Sequence, residues 1–281
     1  MNAISPATTV ERIDGSQLSD LLEAIFERYG VDFRLYAVSS IKRRVLKQMR
    51  DEGLDTVAEL QTLVLDNPVA MERFLRTLTI HVTALFRDPA FYLAFREKAI
   101  PLLGTYPYLR LWVAGCSTGE EVYSLAILLE EEGLYDRCRI YATDVSDAVL
   151  EKARSGIFPI SFMQEYTRNY QRAGGQRSFA EYYTADADFA ILRSSLRRNV
   201  VFAAHNLVGD NCFNEFHVIF CRNVMIYFSR KLQERVHGLF YDSLLTFGYL
   251  GLGRSENIRF TRHERRYEPI SQSEKLYRKI P

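Results

Sequence analysis

Two adjacent carboxylates, Glu120 and Glu121, stand where a glycine turn gives way to a helical pattern in LWVAGCSTGEEVYSLA, residues 111–126. A strand-like run over 111–114 meets Gly115 and Gly119, and apolar residues at helical spacing follow over 122–129. This is the outline of a nucleotide-binding turn, where glycine lets a ligand approach the backbone closely. The ligand expected here is phosphate-free. No lysine completes a GxxxxGK[ST] loop, GxGxxG is absent, and two glutamates at a helix start repel a pyrophosphate. A cationic nucleoside suits them. S-adenosylmethionine carries a sulfonium and an α-ammonium group, and the Glu120 carboxylate can accept hydrogen bonds from that ammonium. Acidic residues in a first turn also complement the helix dipole, and this stretch alone leaves both readings open.

The ends of three further apolar runs supply groups for the rest of such a ligand. RIYATD (139–144) ends in Asp144, and an acidic residue at the end of the second strand binds ribose hydroxyls in dinucleotide folds. Asp144 can equally cap the helix that DVSDAV announces. VVFAAHN (200–206) brings Asn206, and Leu207 after it, within reach of an adenine edge. HVIFCRN (217–223) and the residues after it place Arg222, Asn223 and Tyr227 at the rim of a sheet. A strand-end asparagine is often a turn residue, and Tyr227 in MIYF also reads as a core aromatic. Cys116, Cys138, Cys212 and Cys221 are far apart and lack CxxC spacing. They read as small buried apolar side chains, with no metal site.

Positioning these groups requires a sheet. After residue 106, short apolar runs alternate with helical patterns at 119–132, 146–155 and 229–245, and GYLGLG (248–253) and KLYRKI (275–280) close the chain. The alternation predicts an α/β domain over 104–281, a mostly parallel sheet with helices on both faces. Residues 156–199 interrupt it. They are polar, tyrosine-rich and weakly periodic, and read as an inserted small subdomain with a hairpin-like turn at Gly174 and Gly175. Ahead of the sheet, 16–103 reads as an all-helical domain. Leu18, Leu21, Leu22, Ile25, Phe26 and Tyr29 form one face of a helix stopped by Gly30. A second helix spans 38–50, Asp55 caps a third, and Asn67-Pro68 and Asp88-Pro89 open a fourth and a fifth. Residues 1–15 read as a loose arm.

With 281 residues, 47% apolar and 25% charged, the chain can bury a substantial core in two domains. A net charge of +1 gives no general attraction to nucleic acid or membrane. No apolar run approaches the ~20 residues of a membrane span, and the polar start lacks the apolar core of a signal peptide. A cytoplasmic monomer is expected, with no nucleic-acid partner and no direct membrane insertion.

RLWVAGCSTGEEVYSLAI, ATDVSDAVLEKARSGIF, FCRNVMIYFSRKLQERV and TALFRDPAFY (83–92) together resemble the chemotaxis receptor methyltransferases, the CheR family, from about residue 16 to the C-terminus. Leu85 replaces the first phenylalanine of that family's TAFFR segment. The resemblance implies a helical N-terminal domain and a Rossmann-like methyltransferase domain with an inserted small β-subdomain. It implies S-adenosylmethionine as methyl donor and S-adenosylhomocysteine as product. The acceptors it implies are glutamate side chains on the cytoplasmic helical bundle of chemoreceptors. The implied cofactor contacts are Thr83, Arg87, Glu120, Asp144, Asn206, Leu207, Arg222 and Asn223, beside the close approach that Gly115 permits. Arg87 and Tyr227 match the residues near the transferred methyl group. Arg87 also reads as a capping or ion-pairing arginine beside Asp88. A family asparagine is His81 here, which leaves that contact open.

A glutamate acceptor, with an unperturbed pKa of ~4.3, is already ionised at pH 7, so the reaction needs no general base. Residues 33–50 carry Arg34, Lys42, Arg43, Arg44, Lys47 and Arg50 and no acidic residue. Arg43, Lys47 and Arg50 share one helical face, apart from Ile41, Val45 and Met49. That face is either simply solvated or a docking surface for an acidic partner, and the resemblance favours docking on a receptor. Two other readings stay open: an S-adenosylmethionine enzyme with a different acceptor, and a catalytically silent cofactor-binding module.

Overall fold

A computed structural model of the chain describes residues 13–78 and 83–281. They form two compact units: residues up to 78 with 227–232, and residues 83–226 with 233–281. Most of the expected arm over 1–15 lies outside the described residues, and so does His81.

The first unit holds helices α1 (Gly15–Tyr29), α2 (Val38–Glu52), α3 (Val57–Asp66) and α4 (Pro68–Leu78). Their apolar stripes meet in one cluster that buries Leu21, Ile25, Ile41, Val45, Leu60 and Phe74. Gly30 ends α1 in the left-handed region, φ 70°, as its sequence position suggests. The third helix starts one residue later than expected. Thr56, not Asp55, is its cap, with Thr56 Oγ1 accepting from Glu59 N–H (3.2 Å) and Glu59 Oε2 accepting from Thr56 N–H (2.9 Å). This reciprocal box outcompetes a lone aspartate because it satisfies two helix-end donors at once. Asn67 Oδ1 caps α4 by accepting from the N–H groups of Val69 and Ala70.

Tyr227 also belongs to this unit. Its carbonyl accepts from Ala37 N–H (2.9 Å), Phe228 bridges Tyr36, and the Arg44 guanidinium lies 4.1 Å from the Tyr227 ring centroid. Tyr227 is thus grouped with the start of α2.

The second unit begins with α5 (Pro89–Lys98) and α6 (Ile100–Leu103), followed by β1 (Leu109–Ala114), α7 (Glu120–Glu131), β2 (Cys138–Asp144) and α8 (Asp147–Ser155). The insertion follows: β3 (Ile157–Pro159), α9 (Met163–Arg172), β4 (Tyr183–Ala185) and β5 (Phe189–Leu192). Then come β6 (Val200–Ala204), β7 (Phe216–Cys221), α10 (Arg230–Ser243), β8 (Leu244–Leu252), β9 (Tyr267–Ser271) and β10 (Leu276–Lys279). The expected boundary at 103 therefore moves to the stretch before residue 83. Helical periodicity cannot say what a helix packs against, and α5 packs on the sheet. Phe91 and Phe95 each lie 5.0 Å, centroid to centroid, from Phe220 of β7.

The large sheet has the order β6-β2-β1-β7-β8-β10-β9. Strands β6, β2, β1, β7 and β8 are parallel, and β10 runs antiparallel to both β8 and β9. The strand order reverses between β1 and β7, so the crevice at their C-terminal ends is the place where an open α/β sheet binds ligands. Leu111 and Val113 join the apolar cluster that includes α5, α6 and α7, while Trp112, pointing to the opposite face, meets Phe240 of α10. The insertion is a three-stranded antiparallel sheet, β3-β5-β4, with α9. The expected hairpin at Gly174 and Gly175 is instead the end of α9, with Gly175 N–H returning to the Tyr170 carbonyl. The hairpin lies at 186–188, where Asp186 N–H bonds the Phe189 carbonyl. Cys116, Cys138 and Cys221 are buried as expected, whereas Cys212 is exposed.

Candidate cofactor site at the ends of the parallel strands

The turn after β1 is fixed by the end of β2. The N–H groups of Gly115 and Cys116 both donate to the Thr143 carbonyl, at 2.8 and 2.9 Å. Ser117 N–H donates to Asp144 Oδ2 at 2.9 Å. Gly115 (φ 76°) and Gly119 (φ 96°) occupy backbone regions that side chains resist, and a Cβ on Gly115 would lie 2.5 Å from Val224 Cγ2. The turn therefore needs glycine for conformation and for the close approach of Val224. Asp144 accepts one further N–H, from Ser146 at 3.2 Å. Two ionised oxygens offer about four acceptor positions, so Asp144 braces the turn and retains capacity for hydroxyl donors. It does not serve as the cap of α8, which starts after Ser146.

Glu120 and Glu121 differ sharply. Glu121 Oε1 receives Arg222 Nη1 at 2.8 Å. Glu120 is 5% exposed, and its carboxylate receives the Thr118 hydroxyl at 2.6 Å, its own backbone N–H and the Tyr166 hydroxyl of α9. Among the described residues no lysine, arginine or histidine pairs with it. Burial raises its carboxyl pKa, and the Thr118 hydroxyl, its own backbone N–H and the Tyr166 hydroxyl oppose that rise. A buried carboxylate without a cation is costly unless a ligand supplies one.

Arg222, expected as a cofactor contact, is committed within the protein. Its side chain is 3% exposed, reaches Asp88 Oδ2 (2.9 Å) and the Arg87 carbonyl (3.1 Å), and lies over the Phe91 ring. Asp88 is thereby drawn away from capping α5 and pairs with Arg222. Thr83 and Arg87 sit partly exposed in the loop that Arg222 holds. The same loop is fixed by Phe86 N–H to Ser124 Oγ (2.8 Å) and by Asn169 Nδ2 to the Leu85 carbonyl (3.2 Å). These contacts hold Phe86 and Asp88 at positive φ, 52° and 54°, a strain that persists only where the surroundings over-determine it.

At the end of β6, Asn206 Oδ1 accepts from Val208 N–H (3.0 Å), the turn role that strand-end asparagines commonly take, and Leu207 is buried. Asn223 sits just past β7 at φ 62°, with its N–H on Glu256 Oε2. The parallel strand ends thus bring Gly115, Glu120, Asp144, Asn206, Leu207, Arg222 and Asn223 to one edge of the sheet. Arg43, Lys47 and Arg50 are exposed on α2 in the other unit, while Arg44 of the same helix is buried and donates to the Leu78 carbonyl. The sequence reading missed Glu121 as the partner of Arg222, Tyr166 as a donor to Glu120, and Glu256. Glu121 and Tyr166 lie far from their partners in sequence, and the one available signal was the position of Glu121 beside Glu120.

These residues fit a cationic, phosphate-free nucleoside: an unpaired buried carboxylate, a carboxylate with spare acceptor capacity, and a glycine turn without a phosphate-binding lysine. Among the described residues no group of histidine, cysteine and acidic side chains is arranged to hold a metal. No helix among them is long and apolar enough to cross a membrane.

Comparison with known families matches residues 81–276 to the CheR methyltransferase, SAM binding domain, and residues 16–79 to the CheR methyltransferase, all-alpha domain. A Pseudomonas putida protein, Cher3, to which a methyltransferase activity is ascribed, is 48% identical over 96% of this chain and 99% of its own length. Chemotaxis protein methyltransferases of Salmonella typhimurium and Escherichia coli are 33% and 32% identical. They cover 85% and 87% of this chain, and the matches span 82% and 85% of their own lengths.

Proposed function

We propose, because this chain belongs to the CheR methyltransferase family and is an S-adenosylmethionine-dependent methyltransferase, that it methylates glutamate side chains on the cytoplasmic helical bundle of chemoreceptors. The observation that carries the acceptor class is the charge pattern of α2. Arg43, Lys47 and Arg50 are exposed along one side of a helix whose other side is buried. Such a face attracts a carboxylate-bearing helix over distance and speeds encounter. The names of the Salmonella and Escherichia relatives, which place them in chemotaxis, support the same acceptor.

When bound, S-adenosylmethionine supplies an electrophilic methyl group on its sulfonium and leaves as S-adenosylhomocysteine. In this reading Glu120 accepts hydrogen bonds from the α-ammonium group, and Asp144 accepts from the ribose hydroxyls. Asn206 and Leu207 border the adenine, and Thr83, Arg87, Gly115, Arg222 and Asn223 complete the contact set. Arg222 acts through its hold on Glu121 and the 83–88 loop. Arg87 and Tyr227 position the acceptor carboxylate, with the Tyr227 hydroxyl donating to one oxygen and leaving the other to attack. The acceptor is ionised at neutral pH, so alignment supplies most of the acceleration, roughly 7–11 kcal/mol where geometry is good.

The test is transfer of labelled methyl from S-adenosylmethionine to receptor-containing membranes. The expected product is a methyl ester, which mild base hydrolyses. Label that survives base would be an N-methyl product and would refute the acceptor.

A further inference from the structure

Five backbone N–H groups converge on one side chain that the reaction as described does not use. Glu256 Oε2 accepts from Gly253 (2.7 Å) and Asn223 (2.9 Å), while Oε1 accepts from Val224 (2.9 Å), Met225 (2.7 Å) and Ile226 (3.3 Å). The carboxylate is buried and has no basic side chain as partner among the described residues. It takes the place of a helix cap for the short turn over 225–227, where successive N–H groups point the same way. The preceding residue, Asn223, is held in the left-handed region. Gly253 makes the approach possible, since a Cβ there would lie 2.7 Å from both Asn223 N and Glu256 Oε2.

We infer that Glu256 is a positioning residue for methyl transfer, holding Asn223 and the turn after it in the backbone arrangement that meets the cofactor; this rests on the reading of Asn223 as a cofactor contact. The division of donors between the two oxygens makes the carboxylate specific. Glutamine offers one acceptor oxygen and an amide NH2. Whichever way it turns, either the Asn223–Gly253 pair or the 224–226 set faces a donor instead of an acceptor. An uncharged isostere of the same size therefore disrupts the turn while barely changing the volume of the site.

The experiment is calorimetric titration of S-adenosylhomocysteine into the full chain carrying Glu256→Gln, Asn223→Ala, or both, with Leu103→Ala in α6 as a control for lost stability alone. Glu256→Gln and Asn223→Ala should each weaken binding by about tenfold. The double variant should be no weaker than the worse single variant, because both remove the same contact. Leu103→Ala should leave affinity unchanged. Should Glu256→Gln fail to fold, Glu256→Asp keeps the charge on a shorter stem, and a severalfold loss with the same non-additivity is expected. Wild-type affinity in the Glu256 variants alongside a weakened Asn223→Ala overturns the inference alone. So does a double loss equal to the product of the singles. Wild-type affinity in Asn223→Ala overturns the reading of Asn223 and this inference with it.

Discussion

Helix α7 carries acidic residues at both ends, and the two ends use them differently. At its C-terminal end, the side chain of Glu131 is fully buried and saturated. Its Oε2 receives Arg96 Nη2 (2.7 Å), and its Oε1 receives the Tyr182 hydroxyl (2.9 Å), Gln176 N–H (3.1 Å) and the Tyr170 hydroxyl. At the N-terminal end, Glu120 is also buried, but its partners are two hydroxyls and its own backbone N–H, with no basic side chain among the described residues. The first carboxylate staples the insertion and α5 to α7. The second, in the positive field of a helix start, is the one proposed to receive a cation from outside. Burial alone does not separate a structural acid from a ligand-binding one; the sum of its partners does.

Removing Glu131 should therefore have the largest effect on stability. Glu131→Ala leaves buried Arg96 with Glu132 as its one remaining acid and takes the carboxylate from two tyrosine hydroxyls, at a cost of about 3 kcal/mol. Thermal denaturation should show a fall of roughly 5–10 °C, and calorimetry of the folded protein should show unchanged affinity for S-adenosylhomocysteine. An affinity loss without a stability loss would erase the contrast between the two ends.

Glu120→Gln should behave in the opposite way. Losing the anionic partner of a buried ammonium costs on the order of 2–5 kcal/mol, roughly a hundredfold or more in affinity. The ligand-free protein should be as stable as wild type or more so. The sign follows from the direction of the shift. Burial raises the folded-state pKa of Glu120 above the ordinary ~4.3. Between those values the native state binds more protons than the unfolded chain, so stability falls as pH rises through that window. Glu120 thus costs ligand-free stability at neutral pH, and glutamine removes that cost. Ligand affinity runs the other way, rising with pH as Glu120 ionises, and the Glu120→Gln variant should show a flat profile. A pH-dependent affinity retained in that variant would assign the titration elsewhere.

The contrast also separates what was legible in the sequence from what was not. The glycine turn, the strand ends and α1 were legible because each is a local pattern: apolar runs, a 3.6-residue stripe, a glycine at a helix end. Glu120 was legible because it stands in the glycine turn itself, although its donor Tyr166 in the insertion was not. Glu131 was not, because its donors lie 35 to 51 positions away, from Arg96 on one side to Tyr182 on the other. Within the tyrosine-rich insertion, which reads as polar, Tyr170 and Tyr182 are buried with their hydroxyls on that one carboxylate, while buried Tyr166 serves Glu120. Strands of three or four residues there are too short for alternation to declare itself. Glu256 escaped for the same reason as Glu131, and the helices of 89–103 were given to the wrong unit because periodicity names a buried face and not the surface that covers it.

The smallest effects belong to the basic face of α2, and they sharpen the comparison by leaving both ends of α7 untouched. Arg43 and Arg50 form no ion pair among the described residues, whereas Lys47 already pairs with Asp51 on the surface. Such exposed pairs contribute little to stability, but the pairing partly cancels the field that Lys47 presents to a partner. Arg50→Glu should therefore slow receptor methylation more than Lys47→Glu. The double reversal should lower kcat/KM for receptor membranes by roughly tenfold at low salt. The loss should shrink as salt rises, because charges separated by more than about 8 Å are screened at 0.15 M ionic strength. Affinity for S-adenosylhomocysteine and its pH profile should not move. Methylation kinetics that are unaltered at low salt would leave α2 a solvated face, and the acceptor would then have to dock elsewhere.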